Sequence, residues 1–431
     1  MSKKRTPYNR KARHPTDQTL TQERPTGIIL RPVLNTGYSN GGASAEKQAM
    51  RGYWPIRSSP KSDVDVNLNI LRNRSADMAI NSPVGAAAIN RYRTHVVGAG
   101  LVPSPCPDYR LLGMSPEETA EWRRHTKAEF NLWAQSVECD LYRKHNFYDM
   151  QDVAFISSIV DGDAWAAIKY RKALGDNPYT TKIQLFEASR VCNPNTYSLI
   201  GALNEVEVRN PKNGNRIING VEINTDGAVV AYWVADRVPY DPTESRNIKW
   251  VRVEAFGRKT GTPNILQISH EERPEQYRGV PILAPAIEEL KQMHRYSTAE
   301  LTAAIIKSYF TLFFKTQDAG EGLPNALPEA FGENEKVAFD QYTFELGAGT
   351  MNELPPGYEV QTVDANRSLS TFEAFVNALI AQVGAALEIP SEVLLSRFQS
   401  SYSAARGALL QFQAVAKKRR IWFARDFCQP V

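Results

Sequence analysis

Hydrophobic spacing divides the chain into three blocks. From about residue 62 the apolar positions recur at helical intervals. In "NLNILRNRSADMAI", Leu68, Leu71, Met78 and Ala79 share one side, with Arg72 and Arg74 expected outside it. Asn81-Ser82-Pro83 interrupts this pattern. Ser82 is a helix cap with Pro83 in the first turn, and the following helix, "VGAAAINRYRTHVV", runs to Gly98 and Gly100. Ser115, Pro116 and Glu118 form a capping box ahead of "AEWRRHTKAEFNLWAQ", whose apolar stripe is read as Trp122, Phe130 and Trp133. A fourth helix covers "DMQDVAFISSIV".

The period then changes to two. "AWAAIKYR", "KIQLFEA", "GVEINTDGAVVAYWVA", "WVRVEAF" and "NILQISH" read as short strands, with Asp226-Gly227 as a hairpin turn. Residues 163–270 are therefore expected to form one antiparallel sheet against the preceding helices, which makes the fold class α+β. Asp161-Gly162-Asp163 reads as the helix-to-strand turn, since it lacks the rest of a calcium loop.

After Gly279 long helices return. Leu283, Ile287, Leu290, His294, Ser297, Leu301, Ala304 and Ser308 lie three or four residues apart, predicting a helix of about 30 residues where about 11–12 is usual. Its stripe is mixed rather than apolar. Residues 316–362 are rich in Gly and Pro, with strand-like "KVAFDQYTFEL" and "GYEVQTV". Ser370 and Glu373 suggest a second capping box before "TFEAFVNALIAQVGAALEI", with Phe372, Phe375, Val376, Leu379, Val383 and Leu387 on one face. Pro390 ends that helix. "SRFQSSYSAARGALLQF" follows, too polar for a core, and its second half opens a last amphipathic helix from Ser403.

Charge changes the picture at the N-terminus. Residues 1–61 hold 12 Lys and Arg against 3 acidic residues, while the remaining residues carry 39 basic and 44 acidic side chains. The basic balance behind the isoelectric point of about 8.7 thus belongs to a Pro/Gly/Ser/Asn-rich arm, which reads as a solvated tail or as an electrostatic contact with nucleic acid or an acidic partner. No apolar stretch precedes the arm, so no signal peptide is expected, and no run of about 18 apolar residues predicts a membrane span. The four scattered cysteines form no CxxC pair and point to neither a disulfide framework nor a zinc cluster. His270-Glu271-Glu272 has no second histidine at zinc-helix spacing, and no P-loop or G-x-S-x-G is present.

Several separated stretches resemble the portal proteins of tailed bacteriophages, in their lambda-like branch. They are "LRNRSADMAINSPVGAAAINRYRTHVVGAGLVP", "FNLWAQSVECD" with "FYDMQ", "IQLFEASRVCNPN", "GVEINTDGAVVAYWV", "ELPPGYEV" and "FQSSYSAARGALL". The most specific is "ISHEERPEQYRGVPILAPAIEELKQMHRYSTAEL", with His270, Arg273, Gln276, Arg278 and Gly279 at family-like spacing. The resemblance covers residues 65–431 in order. Family chains often carry Gly-Glu where this chain has Gly162-Asp163, and they usually continue into a C-terminal crown that is expected to be missing here.

The resemblance implies a phage portal fold: a helical and β wing, a two-helix stem, a small α/β clip and a tunnel loop, in a ring-forming subunit. Carried onto this chain it gives a basic arm at 1–61, a wing at 62–281, stem helices at 282–315 and 363–389, a clip at 316–362, a tunnel loop at 390–404 and a returning helix at 405–431. The implied protein is a conduit rather than an enzyme, with no catalytic residues, metal or cofactor. It sits at the unique capsid vertex of the virion, is assembled in the bacterial cytoplasm, and passes DNA during packaging and ejection. Implied partners are further copies in a ring of 12 subunits, double-stranded DNA without sequence specificity, the terminase large subunit, capsid or scaffold protein and a head-completion adaptor, with no membrane. Arg397, Phe398, Gln399, Ser400, Ser401 and Tyr402 are the tunnel-loop candidates, and His294, Ser297 and Lys307 the channel-facing candidates of the stem. The alternative is a DNA-processing enzyme or another minor head protein of the same phage module.

Overall fold

The computed structural model describes residue 38 and residues 42–172, 177–194, 206–239, 248–308, 312–316, 358–362, 372–398 and 401–431. The chain divides into two units, Met1–Arg57 and Ser58–Val431. The described part of the first contains one 3-10 turn, Gln48–Met50. The second carries the fold.

Four helices open it: α1 (Leu68–Asn81), α2 (Pro83–Val96), a one-turn α3 (Tyr109–Leu112) and α4 (Pro116–Gln135), followed by α5 (Phe147–Asp161). Their boundaries follow the local chemistry. The Ser82 hydroxyl accepts from the Gly85 amide at 3.3 Å, and the capping box at Ser115 and Glu118 closes in both directions at 3.2 and 2.8 Å. Gly98 ends the α2 turn at φ 58°. Two side chains differ from expectation. Trp122 is 45% exposed, because the buried face of α4 is set by Thr119, Trp133 and Ala134. Arg72 lies inside the α1 stripe rather than outside it, buried beside Leu68, Ser75 and Met78, because a buried carboxylate waits for it.

The β region forms two sheets rather than one. Strands β1 (Asp163–Tyr170) and β2 (Thr181–Phe186) pair in antiparallel fashion. A separate five-strand meander follows: β3 (Glu207–Arg209), β4 (Arg216–Ile218), β5 (Val221–Ile223), β6 (Val229–Ala235) and β7 (Trp250–Glu254). Strand β8 (Ile265–Ser269) then returns to the free edge of β1, giving the order β2-β1-β8. Asp226-Gly227 makes the expected hairpin between β5 and β6, with Gly227 at φ 84° and the Asn224 side chain accepting from the Asp226 and Ala228 amides.

The period-two pattern of β1 explains why there are two sheets. Ala164 and Ala166 face the helices, while Trp165 and Ala167 face a second apolar cluster with Ile218, Val221, Ile223 and Tyr232 of the meander. Both faces are covered, so β1 is a central layer with helices on one side and the five-stranded sheet on the other.

These layers meet at Asp163. Its Oδ1 accepts from Arg72 Nη2 at 2.7 Å, Trp165 Nε1 at 3.1 Å and Arg278 Nη2 at 3.2 Å. Its Oδ2 accepts from Arg278 Nε at 2.6 Å and the Gly279 amide at 3.4 Å. Burial would raise the carboxyl pKa, but Arg278 and Arg72 outweigh it and hold Asp163 below the usual carboxylate range. The Arg278 guanidinium is itself fully buried. It donates to the carbonyls of Val191 at 2.7 Å, Ala188 at 3.0 Å and Asn219, and lies 5.3 Å from the Trp165 ring centre. Arg72 Nε reaches the Asp161 carbonyl at 2.8 Å. One ion cluster thus joins α1, the end of α5, β1, the turn after β2 and the turn before β5. Gly162 and Gly279 permit it: a Cβ on Gly279 would stand 1.8 Å from the Gly162 oxygen.

The rest of "RPEQYRG" is anchored similarly. Arg273 pairs with Asp63 and donates to the Ser58 carbonyl, Gln276 Nε2 donates to the Arg278 carbonyl, and the Tyr277 hydroxyl donates to the Gly227 carbonyl. The segment most specific to the family resemblance is a structural clasp.

Asp163→Asn leaves two buried guanidinium groups facing a neutral amide, and is expected to cost about 3–5 kcal/mol, measured by urea unfolding of the purified chain. Two other carboxyls give opposite pH signatures. Glu222 is buried and would be raised by desolvation, yet Arg252, Asn213, Asn215 and Trp233 donate to it and bring it down to about 2. Its stabilising effect is present above the ordinary carboxyl range near 4.5 and is lost as pH falls towards 2. Asp161 is raised by burial to about 7, so its effect favours the fold below about 4 and is lost as pH rises through 7. Unfolding midpoints across pH 2–8 are expected to lose the acid limb in Glu222→Gln and the neutral-side decline in Asp161→Asn.

Candidate nucleic-acid interface

Beyond the clasp, a 3-10 turn at Ala284–Ala286 leads into α6 (Ile287–Ser308). The helix is shorter than the pattern predicts at both ends. Pro285 sits in the preceding 3-10 turn, and the apolar "LFF" run belongs to strand β9 (Leu312–Thr316), which pairs antiparallel with β10 (Tyr358–Thr362). Pairing of this run with β10, rather than its spacing, fixes it as strand. Residues 317–357, including "KVAFDQYTFEL", lie outside the described residues; the register brings their flanks together, with Thr316 opposite Tyr358.

Helix α6 starts in the main core, where Leu283, Leu290 and Met293 are buried. It leaves the core after that. Leu301 is 62% exposed and Ile305 48%. Helix α7 (Phe372–Ala386) does the reverse, with Phe375 exposed near its start and Ile380, Val383 and Gly384 buried towards its end. The two are joined by rings: Tyr296 of α6 stacks on Phe372 at 5.5 Å and meets Phe375 edge-on at 4.8 Å. The apolar face read for α7 holds in its second half and at this aromatic joint. Ser370 of the expected capping box lies outside the described residues.

The return into the core is built from α7's last turn. Gly384 allows the Ile389 carbonyl to approach where a Cβ would be 2.5 Å from it, and Glu388 takes φ 55°. The Tyr92 hydroxyl donates to the Leu387 carbonyl, Arg419 lies 4.8 Å above the Tyr92 ring, and Arg419 pairs with Glu388 at 3.2 Å. Burial pushes the Tyr92 hydroxyl up to about 12, so it stays a donor.

The polar stretch at 390–404 is not all loop. A one-turn helix α8 (Ser391–Leu395) buries Val393 and Leu394, and α9 (Tyr402–Phe423) begins at Tyr402, where Ser401 caps it by accepting from the Ala404 amide. Residues 396–401 are what remains between them. Ser396 adopts φ 54° and contacts Arg91 of α2, and Arg397 Nη1 pairs with Glu373 Oε1 of α7 at 3.2 Å.

Most of the site residues predicted from the sequence are at the surface. Arg397, Phe398 and Tyr402 are exposed, the last at 81%. Ser401 acts as a cap. Gln399 and Ser400 lie outside the described residues. His294 and Ser297 are exposed on α6, flanking Tyr296. Lys307 is near the end of α6, its side chain outside the described residues. The rings of Tyr296, Phe372 and Phe375 and the Arg397–Glu373 pair draw α6, the start of α7 and the loop into one exposed region. In the basic helix pair at 71–103, Arg72 is paired with Asp163 and Arg93 with Asp152, while Arg74 is exposed and Arg91 reaches Ser396 of the loop. Arg91 and Glu373 are not legible from the sequence as site components, since their partners lie far away along the chain. Among the described residues there is no group of three His, Cys, Asp or Glu suited to a metal ion, and no helix long and apolar enough to cross a membrane.

The protein is thus a layered α+β body in which one helix leaves the core, a second returns to it, and an exposed polar joint follows their return. The chain belongs to the lambda family of phage portal proteins, whose profile (Phage portal protein, lambda family) matches residues 46–420. It is similar to the portal protein of Escherichia phage N15, 24% identical over 411 residues that cover 91% of this chain and 73% of the relative. It is also similar to portal protein B of Escherichia phage lambda, 24% identical over 409 residues covering 90% and 72%. Among solved structures, the neck of a native gene transfer agent particle computed with C12 symmetry matches with TM-score 0.45 at 12% identity, covering 82% of this chain and 81% of that one. An HK97 family portal protein from Corynebacterium diphtheriae matches with TM-score 0.33 at 11% identity, covering 77% and 82%. The family profile and the sequence relatives carry the assignment.

Arg419→Ala removes the ring contact on Tyr92 and the Glu388 pair together. It is expected to destabilise the chain by about 1–3 kcal/mol, visible as a lower unfolding midpoint, while Arg397→Ala, at an exposed pair, changes it by less than about 0.5 kcal/mol.

Proposed function

We propose that this chain forms a ring around a DNA channel, with α6, α7 and residues 396–404 turned towards the channel. The observation that carries this reading is the behaviour of α6. Its first turns are core, yet its second half presents Leu301, Ile305, Ser297 and Thr298 to solvent in the single chain. A helix that is half core and half mixed surface suits a subunit whose neighbours and whose aqueous channel share that surface.

On this reading residues 62–281 are the wing, α6 and α7 the stem, and residues 316–362 the clip, closed at its base by the β9–β10 pair. Residues 396–401 with the first turn of α9 are the tunnel loop, and the rest of α9 is the helix that returns to the wing. The ring, of 12 subunits, occupies the portal vertex of a virion assembled in the host cytoplasm. The clip receives the terminase large subunit and later a head-completion adaptor, and the wing contacts capsid or scaffold protein. The chain itself is a conduit without catalytic activity.

The charge distribution supports sliding rather than gripping. Outside the first 61 residues acids exceed bases by 44 to 39. Every phosphate contact strengthens sequence-independent binding, so a channel with few cations lets duplex pass. Contacts to phosphate would also carry no sequence specificity.

The combined change of Arg397, Gln399 and Tyr402 to Ala is expected to leave rings intact in class averages from electron microscopy while impairing packaging or retention of DNA. Normal packaged length in that variant would remove the tunnel-loop assignment. Replacing residues 318–356 by a short linker is expected to preserve rings and abolish recovery of terminase in a pull-down.

A further inference from the structure

The loop that follows α8 is held from two sides. Arg91 of α2 reaches the Ser396 hydroxyl, at a residue whose left-handed backbone fixes the direction of the next one. Arg397, set at that point by its amide donating to the Glu392 carbonyl at 3.1 Å, points its guanidinium at Glu373 on α7. The two side chains of this ion pair are 52% and 69% exposed. A pair so exposed contributes little to the fold, and nothing in the packing of α7 needs it, since α7 is joined to α6 by Phe372 and Phe375. Its chemistry has another consequence. A carboxylate and a phosphate present the same paired oxygens to a guanidinium.

We propose that Glu373 is an intramolecular competitor for DNA phosphate at Arg397. Resting on the channel reading above, it names what weakens that channel's grip. Each phosphate that binds Arg397 displaces Glu373, so the gain of the new ion pair is offset by the loss of the old one. The contact stays weak and exchangeable, which is what translocating duplex requires. Arg91 is a positioning residue: by holding Ser396 it keeps Arg397 within reach of both carboxylate and phosphate, so that the exchange needs a side-chain movement and no refolding of the loop base.

The test uses the assembled full-length protein and a short duplex of mixed sequence, with affinity measured across a salt series. Glu373→Gln is expected to tighten binding about two- to fivefold at low salt. Arg397→Ala is expected to lower the salt slope by about 0.9 for each phosphate that is no longer neutralised. In the Arg397→Ala background, Glu373→Gln is expected to have no further effect. In parallel, a photo-cross-linker in place of Phe398 is expected to capture DNA. Cross-links with unchanged affinity in Glu373→Gln would overturn the competitor and leave the channel reading standing. Tightening by Glu373→Gln that persists in the Arg397→Ala background would also overturn it, as a general charge effect. Absence of cross-links would overturn both. Both residues are exposed, so assembly itself, checked by imaging, is expected to be unaffected.

Discussion

The fold depends on a buried charge. Asp163 and Arg278 are both withdrawn from water, and with Arg72 they form a cluster of two cations and one anion. Such a group is costly unless every polar atom is met. Here the guanidinium of Arg278 is met by the carboxylate, by three backbone carbonyls and by the face of Trp165. The carbonyls come from two turns that would otherwise have no reason to lie together, at Ala188–Val191 and at Asn219. The cluster therefore specifies where the five-stranded sheet sits on β1 as much as it stabilises it. It also sets the starting point of α6, since Gly279 and the Pro281 turn follow directly, and the Ile282 amide donates back to the Ile159 carbonyl at 2.8 Å.

From that starting point the course of α6 and α7 follows. α6 must leave the core where Leu290 and Met293 end it, and α7 must return beside it, guided by Tyr296 at one end and by Tyr92, Arg419 and Glu388 at the other. The exposed loop lies where the return is complete. Arg72 and Arg93 are paired with Asp163 and Asp152, Arg91 contacts Ser396, and Arg397 stands on the surface paired with Glu373.

Much of this is legible in the sequence, and the failures have physical causes. Local signals read well: the Ser82 cap, the Ser115 capping box and the Asp226-Gly227 turn depend on neighbours within four residues. Residue type alone puts Arg72 outside the apolar stripe, because an arginine is usually exposed and its partner lies 91 positions away. Strands β3 and β4, three residues each, are too short to establish a period. The helical pattern from 282 continues through "TLFF" because apolar residues at the end of an amphipathic pattern fit either period, and only the pairing with Tyr358–Thr362 decides for strand. In the polar joint, Val393 and Leu394 are masked by the hydrophilic residues that follow them. Arg273, Gln276, Arg278 and Gly279 stand out through the family resemblance, while their role in the clasp emerges only once the fold brings Asp63, Asp163 and Gly162 to them.

A density map of the assembled particle with DNA inside, obtained by electron cryo-microscopy, tests most directly whether α6, α7 and the loop at 396–404 line a DNA channel in a ring of these chains. Arg397 and Tyr402 are expected on the channel wall at its narrow part, with the exposed half of α6 shared between a neighbouring subunit and the channel. A ring in which the same residues face outwards, away from DNA, would contradict this account.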